Sequence, residues 1–414
     1  MPEPWIHIAW LSVGLFALLV MLGLFYRVAI VALTLVFSYF FLLDQAQYLN
    51  HFYLVILFLM LMCFLPANRR LSLDAKLWGR EADTTVPYAA VFILRAQMEI
   101  MLVYAGLVKL TPDRLAGEPL GQWLRRQADD FPFGFLFHYD WVILAGAWGT
   151  IFIHVIGAPL LLWKKTRLYT FIVYCGFHTA NSMFFNIGIF PWLAIAATTI
   201  FFAPDWPHRV ARFVSGGLKI LPGAGEPSHR APVKPVSAFA LVGMGVWLIL
   251  QIALPARAWF IPTEVRWTGD GHRYSWRMRI YDRVAVGRFI VTADGQRWIV
   301  DPADHLSHRQ ARMMLVRPDM IYQFAHYLKA DREKAGYTSI AVQADIWKSL
   351  NGRPMQRYID PDVDLITAPF SPIGSNSWVL PLDIPVWGVL RPNRSSWRSH
   401  ESPLAPATIS SLTW

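Results

Sequence analysis

Residues 89–110 read AAVFILRAQMEIMLVYAGLVKL, an apolar run of the length that crosses a hydrocarbon core, into which Arg95, Gln97, Glu99, Tyr104 and Lys109 are set. At about 100° per residue, Glu99 lies roughly 40° from Arg95 on one side and Lys109 roughly 40° on the other, so the three charges share one helical stripe. Working outward, similar runs occupy residues 5–26, 28–43, 50–66, 141–163, 168–185, 187–203 and 235–255. With 55% hydrophobic and only 16% charged residues and a mean hydropathy of +0.35, the 414 residues do not describe two or three soluble domains. The fold class expected is an α-helical integral membrane bundle of about eight helices. Asn186 and Gly188 supply the only break in 168–203, which leaves the count open by two without changing its parity.

The loops between these runs carry the charge. One set holds Arg27, Arg69, Arg70, Lys76, Arg80, Lys164, Lys165, Arg167, Arg209, Arg212, Lys219, Arg230 and Lys234, and the other only Arg114, Arg125 and Arg126, a ratio of 13 to 3. Cytoplasmic loops retain positive charge, so the N-terminus, the loop with Asp44, the loop 111–140 and everything after residue 256 are expected on the non-cytoplasmic side. That side is the periplasm in a bacterium and the lumen of the endoplasmic reticulum in a eukaryote. Topology accounts for the +10 net charge, and no nucleic-acid partner is implied. The first run has no lysine or arginine at its start and no small-residue cleavage site before Arg27, so it reads as a retained helix. Cys63 and Cys175 each sit inside an apolar run and offer no disulfide scaffold.

The composition changes after Pro255, dividing a membrane domain, 1–255, from a soluble mixed α/β domain containing a sheet, 256–414. Arg288–Val291 and Arg297–Val300 flank Asp294-Gly295, a hairpin signal, and Asn351-Gly352 marks a second turn. Residues 306–335 read as helix interrupted at Pro318, with Met314, Ile321, Phe324 and Leu328 on one face. Residues 221–234 read as a cytoplasmic linker, and Asn393-Arg394-Ser395 is a lone sequon.

Ionisable and amide groups within apolar spans are costly and mark sites. Arg95 and Glu99 have the i,i+4 spacing of an ion pair, structural or functional. Lys109 admits two readings: Pro112 ends the helix near it, so its amine reaches the membrane interface by snorkelling, or it is partly buried and serves as a general base. Asn50 and His51 open a span at the same face. His178 and Asn181 are spaced i,i+3, roughly 16 Å of helix from the cytoplasmic end, and serve either helix packing or a ligand. His154 stands alone, and no spacing supports a metal site. Asn50, His51 and Lys109 fall toward the side of the soluble domain, which suggests an outward-opening cavity for a lipid-borne molecule and a polar partner.

Several strings are more specific. Leu43-Asp44 with Asn50-His51-Phe52-Tyr53-Leu54, Phe64-Leu65-Pro66-Ala67-Asn68-Arg69 with Ser72-Leu73-Asp74, Arg95-Ala96-Gln97 leading to Tyr104-Ala105-Gly106-Leu107-Val108-Lys109-Leu110, Phe177-His178 with Asn181-Ser182, and Phe185-Asn186-Ile187-Gly188-Ile189-Phe190-Pro191-Trp192 resemble vitamin K-dependent gamma-glutamyl carboxylase and its bacterial homologues. Gly271-His272-Arg273-Tyr274-Ser275-Trp276-Arg277-Met278 and Ser349-Leu350-Asn351-Gly352-Arg353-Pro354, ending Ile359-Asp360-Pro361, look like the bacterial branch's C-terminal region.

The resemblance implies a multipass membrane enzyme that couples oxygenation of reduced vitamin K, a hydroquinone, to the epoxide with carboxylation of a peptide glutamate. Oxygen and carbon dioxide would be co-substrates, and no metal is implied. It casts Lys109 as the base, which favours that reading over snorkelling, and His51, after Asn50, as the residue handling the carbanion and its proton. Asn50, Arg95, Gln97, Tyr104, His178 and Asn181 become candidates for substrate binding. Departures are Glu99, Val108 in place of the animal enzyme's lysine before the catalytic one, and the absence of the extended luminal region that holds a propeptide. Two other readings remain: a quinol epoxidase without peptide carboxylation, and a non-catalytic carrier or scaffold in the bilayer. A carrier should show repeated halves of inverted topology, and the sequence has none.

Overall fold

The computed structural model describes residues 3–69, 71–78, 86–216, 235–372 and 374–384. The expected linker 221–234 and the sequon at Asn393 lie outside the described residues. The chain forms two compact units, one of residues 1–107 with 152–254, the other of 108–151 with 255 onward.

The first unit is helical. Each of the eight apolar runs contains a helix. Glu3–Leu22, Tyr26–Leu43, Tyr88–Leu107, Asp140–Leu162 and Ala238–Trp259 are long and apolar enough to cross a membrane, and Asn50–Phe64 and Phe190–Phe201 are shorter apolar helices. Helix Arg167–Phe184 has the length but carries Tyr174, His178, Asn181 and Ser182. The chain is a multipass membrane protein, in which backbone groups must be satisfied inside each span.

Asp74 shows how a loop fixes two spans. Its buried carboxylate accepts from the backbone N–H of Phe25 at 2.7 Å and of Tyr26 at 3.0 Å, donors that the start of helix Tyr26–Leu43 leaves open, and from Asn68 Nδ2 at 2.8 Å. Gly23 at the bend has φ +63°, and a Cβ there would stand 2.3 Å from Ser72 Cβ, so the turn needs glycine. Below the bend Tyr26, Ile30, Leu33 and Leu59 pack with Val13, Phe16 and Val20, joining the first three spans.

The second unit contains a four-stranded antiparallel sheet in the order β2-β1-β3-β4, with β1 Arg283–Ala293, β2 Gln296–Val300, β3 Ala341–Leu350 and β4 Gln356–Arg357. Asp294 and Gly295, at φ +48° and +78°, make the β1–β2 turn, and Asn351 and Gly352, at +50° and +75°, the turn after β3. Strand β3 alternates strictly, burying Val342, Ala344, Ile346, Lys348 and Leu350. Two helices, His308–Leu315 and Pro318–Lys334, meet at the expected proline and bury Met314, Ile321, Phe324 and Leu328. Phe289 of β1 stacks edge-on against Phe324 at 4.9 Å, so this helix pair covers the sheet's apolar face.

The same unit holds 108–151: short helices Pro112–Leu115 and Leu120–Arg126, two 3-10 turns, and the start of helix Asp140–Phe152. Phe131, Phe133 and Phe137 form its aromatic centre.

Candidate active site

Helix Tyr88–Leu107 spends most of its polar stripe on packing. Arg95 donates from Nε to Ile200 O at 2.9 Å and from Nη2 to Phe201 O at 3.2 Å and Phe202 O at 3.0 Å, so it caps the end of the apolar helix Phe190–Phe201. Those carbonyls have no helical donors of their own, and they draw Arg95 away from Glu99. The i,i+4 pair expected from the sequence is therefore not made, and neither Glu99 carboxylate oxygen has a hydrogen-bond partner. Gln97 accepts from Trp247 Nε1 at 2.8 Å and donates to Gln251 Oε1 at 3.4 Å, and the Tyr104 hydroxyl donates to Ile252 O at 2.6 Å. Both hold helix Ala238–Ala256.

A ring cluster gathers three histidines of the first unit, His51, His154 and His178. His51 and His178 each lie 5.8 Å from the ring of Phe190, and His178 stacks on Tyr174 at 5.9 Å. His154 meets Tyr174 at 5.9 Å and Phe177 at 5.2 Å. It sits in a π-helical turn, Ile153–Gly157, whose carbonyl at Ile153 accepts from the Tyr174 hydroxyl at 2.9 Å. Such turns occur often at functional sites. Gly106 allows the close approach of this turn: a Cβ on it would stand 2.7 Å from Val155 Cγ2 and 2.8 Å from His154 Cβ. His178 is buried, and its Nε2 has no hydrogen-bond partner. Asn50 Oδ1 accepts from the Tyr48 hydroxyl at 3.1 Å, and Asn181 is half-buried on the same helix as His178.

Lys109 belongs to the second unit. The helix ends at Leu107, before Pro112 can terminate it, and Lys109 lies two residues beyond. Its carbonyl accepts from Thr111 N–H at 2.8 Å, and Thr111 Oγ1 caps helix Pro112–Leu115 by accepting from Arg114 N–H at 3.4 Å. The lysine is only 5% exposed, so its amine is enclosed by protein and does not reach outward as snorkelling requires. Burial, and then the Arg114 guanidinium, lower its pKa to about 7.

The turn that carries Lys109 is anchored on the sheet's hairpin. Asp113 accepts from Asn351 Nδ2 at 2.6 Å and from Arg353 Nη2 at 2.7 Å and Nη1 at 3.0 Å, all three residues being buried. Gln122 Nε2 donates to Asn351 O at 2.8 Å, and a Cβ on Gly352 would meet that Nε2 at 2.6 Å. The Asn351-Gly352-Arg353 string is thus a turn whose side chains grip the segment after Lys109.

The sequence marks Arg114 only as a loop charge and does not mark Asp113. Thr111-Pro112 is a helix-start signal that could have placed them on a short turn, but their partners are about 240 residues away and no local pattern encodes that pairing. Arg114 is 4% exposed; its Nη2 stands 3.4 Å from Thr150 Oγ1, while Nε and Nη1 have no hydrogen-bond partner. Among the described residues no group of three His, Cys, Asp or Glu side chains could hold a metal ion.

Residues 1–206 match the model of the HTTM domain, and residues 236–384 match that of the vitamin K-dependent gamma-carboxylase lumenal domain. No solved structure matches the chain.

Proposed function

The chain belongs to the vitamin K-dependent gamma-carboxylase family, and from that premise we propose that it couples oxygenation of a reduced vitamin K hydroquinone with carboxylation of a peptide glutamate. The observation that carries the reading is Lys109, a buried lysine just past the end of a membrane helix whose pKa is lowered to about 7. One hydroquinone, one dioxygen, one carbon dioxide and one glutamate would give one epoxide, one water, one gamma-carboxyglutamate and a proton. Bound hydroquinone, with dioxygen, supplies the strong base that no side chain can be.

The residues fit that partner. A lipid-borne phenol needs an apolar approach and a group that can take a hydroxyl proton near neutral pH. Lys109 Nζ is such an acceptor, because an ordinary lysine, near 10.4, would be almost entirely protonated. We assign His51 to proton handling at the glutamate carbon, with Asn50 beside it. His178 and Asn181 are assigned to polar contacts with the quinol. Arg95, Gln97 and Tyr104 bear on substrate binding through the helices they hold. The proposal places the N-terminus and residues 256–414 on the non-cytoplasmic side, periplasmic in a bacterium, where a glutamate-containing peptide would approach from water and the quinol from the bilayer.

The test is epoxide formation from vitamin K hydroquinone by the purified protein in nanodiscs, wild type against a folded Lys109→Ala variant. The proposal expects a loss of roughly 10²–10⁴-fold, the range for removing a positioned base. Equal rates would refute the role of Lys109. Epoxide without carboxyglutamate, in the presence of bicarbonate and a glutamate peptide, would remove the carboxylation half.

A further inference from the structure

Arg114 differs from the carboxylate-paired cations of the second unit. Arg353 is bonded to Asp113, Arg125 to Asp140 at 2.7 Å, Arg126 to Asp282 at 3.1 Å and Arg266 to Glu264 at 2.5 Å. Arg114 is as buried as Arg353, yet its guanidinium makes one long contact, 3.4 Å to Thr150 Oγ1. The N–H groups at Nε and Nη1 point into protein with nothing to accept them. A buried guanidinium with unmet donors carries a large desolvation cost that an anion would offset.

Its place is fixed. Thr111 ties the turn together by donating to Lys109 O and accepting from Arg114 N–H, and the neighbouring Asp113 is locked to Asn351 and Arg353. Arg114 therefore stays within electrostatic reach of Lys109. Two carboxylates lie near, and neither is available to it. Asp113 is taken by the hairpin. Glu118 accepts from Gln122 N–H at 3.3 Å and lies 3.6 Å from Arg125 Nη1.

We propose that Arg114 is an oxyanion-holding residue beside the base, whose unmet guanidinium N–H groups receive the negative oxygen left on a phenolic substrate when its proton passes to Lys109. The proton moves from the hydroxyl oxygen to Nζ, giving an ammonium and an oxyanion, and the fixed cation stabilises that charge in a site shielded from water. The inference rests on the role of Lys109 proposed above for the substrate, but it is tested by binding as well as by turnover.

The probe is a 2-hydroxy-3-alkyl-1,4-naphthoquinone, whose neutral and anionic forms differ in visible absorbance. It would be titrated into the full-length protein in nanodiscs across pH. The groups that face the bound oxygen are Lys109 and Arg114, with Asp113 paired to Arg353 and Glu118 beside Arg125. Wild type should hold the anion, and Arg114→Gln should bind it at least about tenfold more weakly, an upward move of about one pH unit in the bound probe's ionisation. Arg114→Lys should keep part of the preference, which separates a lost charge from a lost fold. Unchanged affinity of the Arg114→Gln variant for the neutral 2-alkyl-1,4-naphthoquinone lacking the hydroxyl serves as its folding control.

Equal anion affinity in wild type and folded Arg114→Gln would overturn the assignment. So would a preference abolished by Lys109→Ala and untouched by Arg114→Gln, which would make Lys109 the cation. Displacement of the probe by an N-acyl-glutamate amide from wild type but not from Arg114→Gln would assign the site to a carboxylate and overturn the phenolic ligand. Anion binding that depends on Arg114 in a protein that makes no epoxide would sink the carboxylase reading and leave this one standing.

Discussion

Removing the Asp113 carboxylate should loosen the turn that carries Lys109. Asp113 and Arg353 are nearly solvent-free, with side chains 2% and 7% exposed, and the carboxylate takes three hydrogen bonds of 2.6, 2.7 and 3.0 Å. Asp113→Ala leaves a guanidinium and an amide buried without their acceptor, which costs roughly 3–5 kcal/mol. Asp113→Asn keeps the shape and a neutral acceptor, and should cost about 1–3 kcal/mol. Arg353→Met leaves the buried carboxylate without its counter-charge, held only by Asn351 Nδ2. The double variant Asp113→Ala with Arg353→Met should be less unstable than the sum of the singles by about 2 kcal/mol or more, because one partner's penalty disappears with the other. The assay is equilibrium unfolding of the full-length protein in mixed micelles, with hydrogen exchange at 108–116 and 350–354 as the local readout. Single effects that add within about 0.5 kcal/mol, with unchanged exchange in both segments, would refute the claim that this pair holds the turn.

Three further outcomes follow from the same structure. Hydroquinone oxidation should rise as pH rises through about 7 and level off above it, because the Lys109 amine is protonated below that value and neutral above; a flat rate from pH 6 to 9 would show that its proton does not control turnover. Gly134→Ala should prevent assembly of 108–151 or lower its melting temperature sharply, since a Cβ there would stand 1.6 Å from Ala128 O, a backbone atom that cannot yield without moving the turn; a near-wild-type melt would count against that packing. Lys348 is fully buried on β3, donates to Trp267 O and to Val316 O at 3.1 Å, and lies 3.7 Å from the centre of the Tyr358 ring; Lys348→Ala should cost roughly 2–4 kcal/mol in lost packing and unmet carbonyls, measured by denaturant unfolding.

Periodicity exposed the elements whose burial is decided locally. The apolar runs became helices because an isolated span must satisfy its own backbone, and the hairpin at Asp294-Gly295 formed because its two positions take positive φ. The helix pair broke at Pro318 for an equally local reason. Side-chain partners were another matter. Arg95 and Glu99 are four residues apart, yet Arg95 is drawn to carbonyls more than 100 residues away, because an unsatisfied helix end offers three acceptors at once. For Lys109 the local signal, Pro112 near the helix end, leaves snorkelling and burial both open; the structure buries it, and the turn that follows it is tied through Asp113 to Arg353, 240 residues away.

The polar groups within the protein therefore divide by whether their hydrogen bonds are met. Arg95, Gln97, Tyr104, Asp74 and Asp113 have theirs, and each joins two pieces of backbone that must stay in register. Burying such groups is costly, and satisfying them turns that cost into specificity of packing. Glu99, His178 and Arg114 are among those that keep buried atoms without partners. Stability alone gives no reason to retain these groups, because an apolar side chain of similar size would avoid the cost. Arg114 is the sharpest case: the turn around it is braced by Thr111, Asp113 and Arg353, while its guanidinium, within electrostatic reach of Lys109, keeps unmet donors. If Lys109 is the base proposed above, a fixed unmet donor near it is of use at the moment a negative charge appears there, since the fixed dipoles then need no reorganisation.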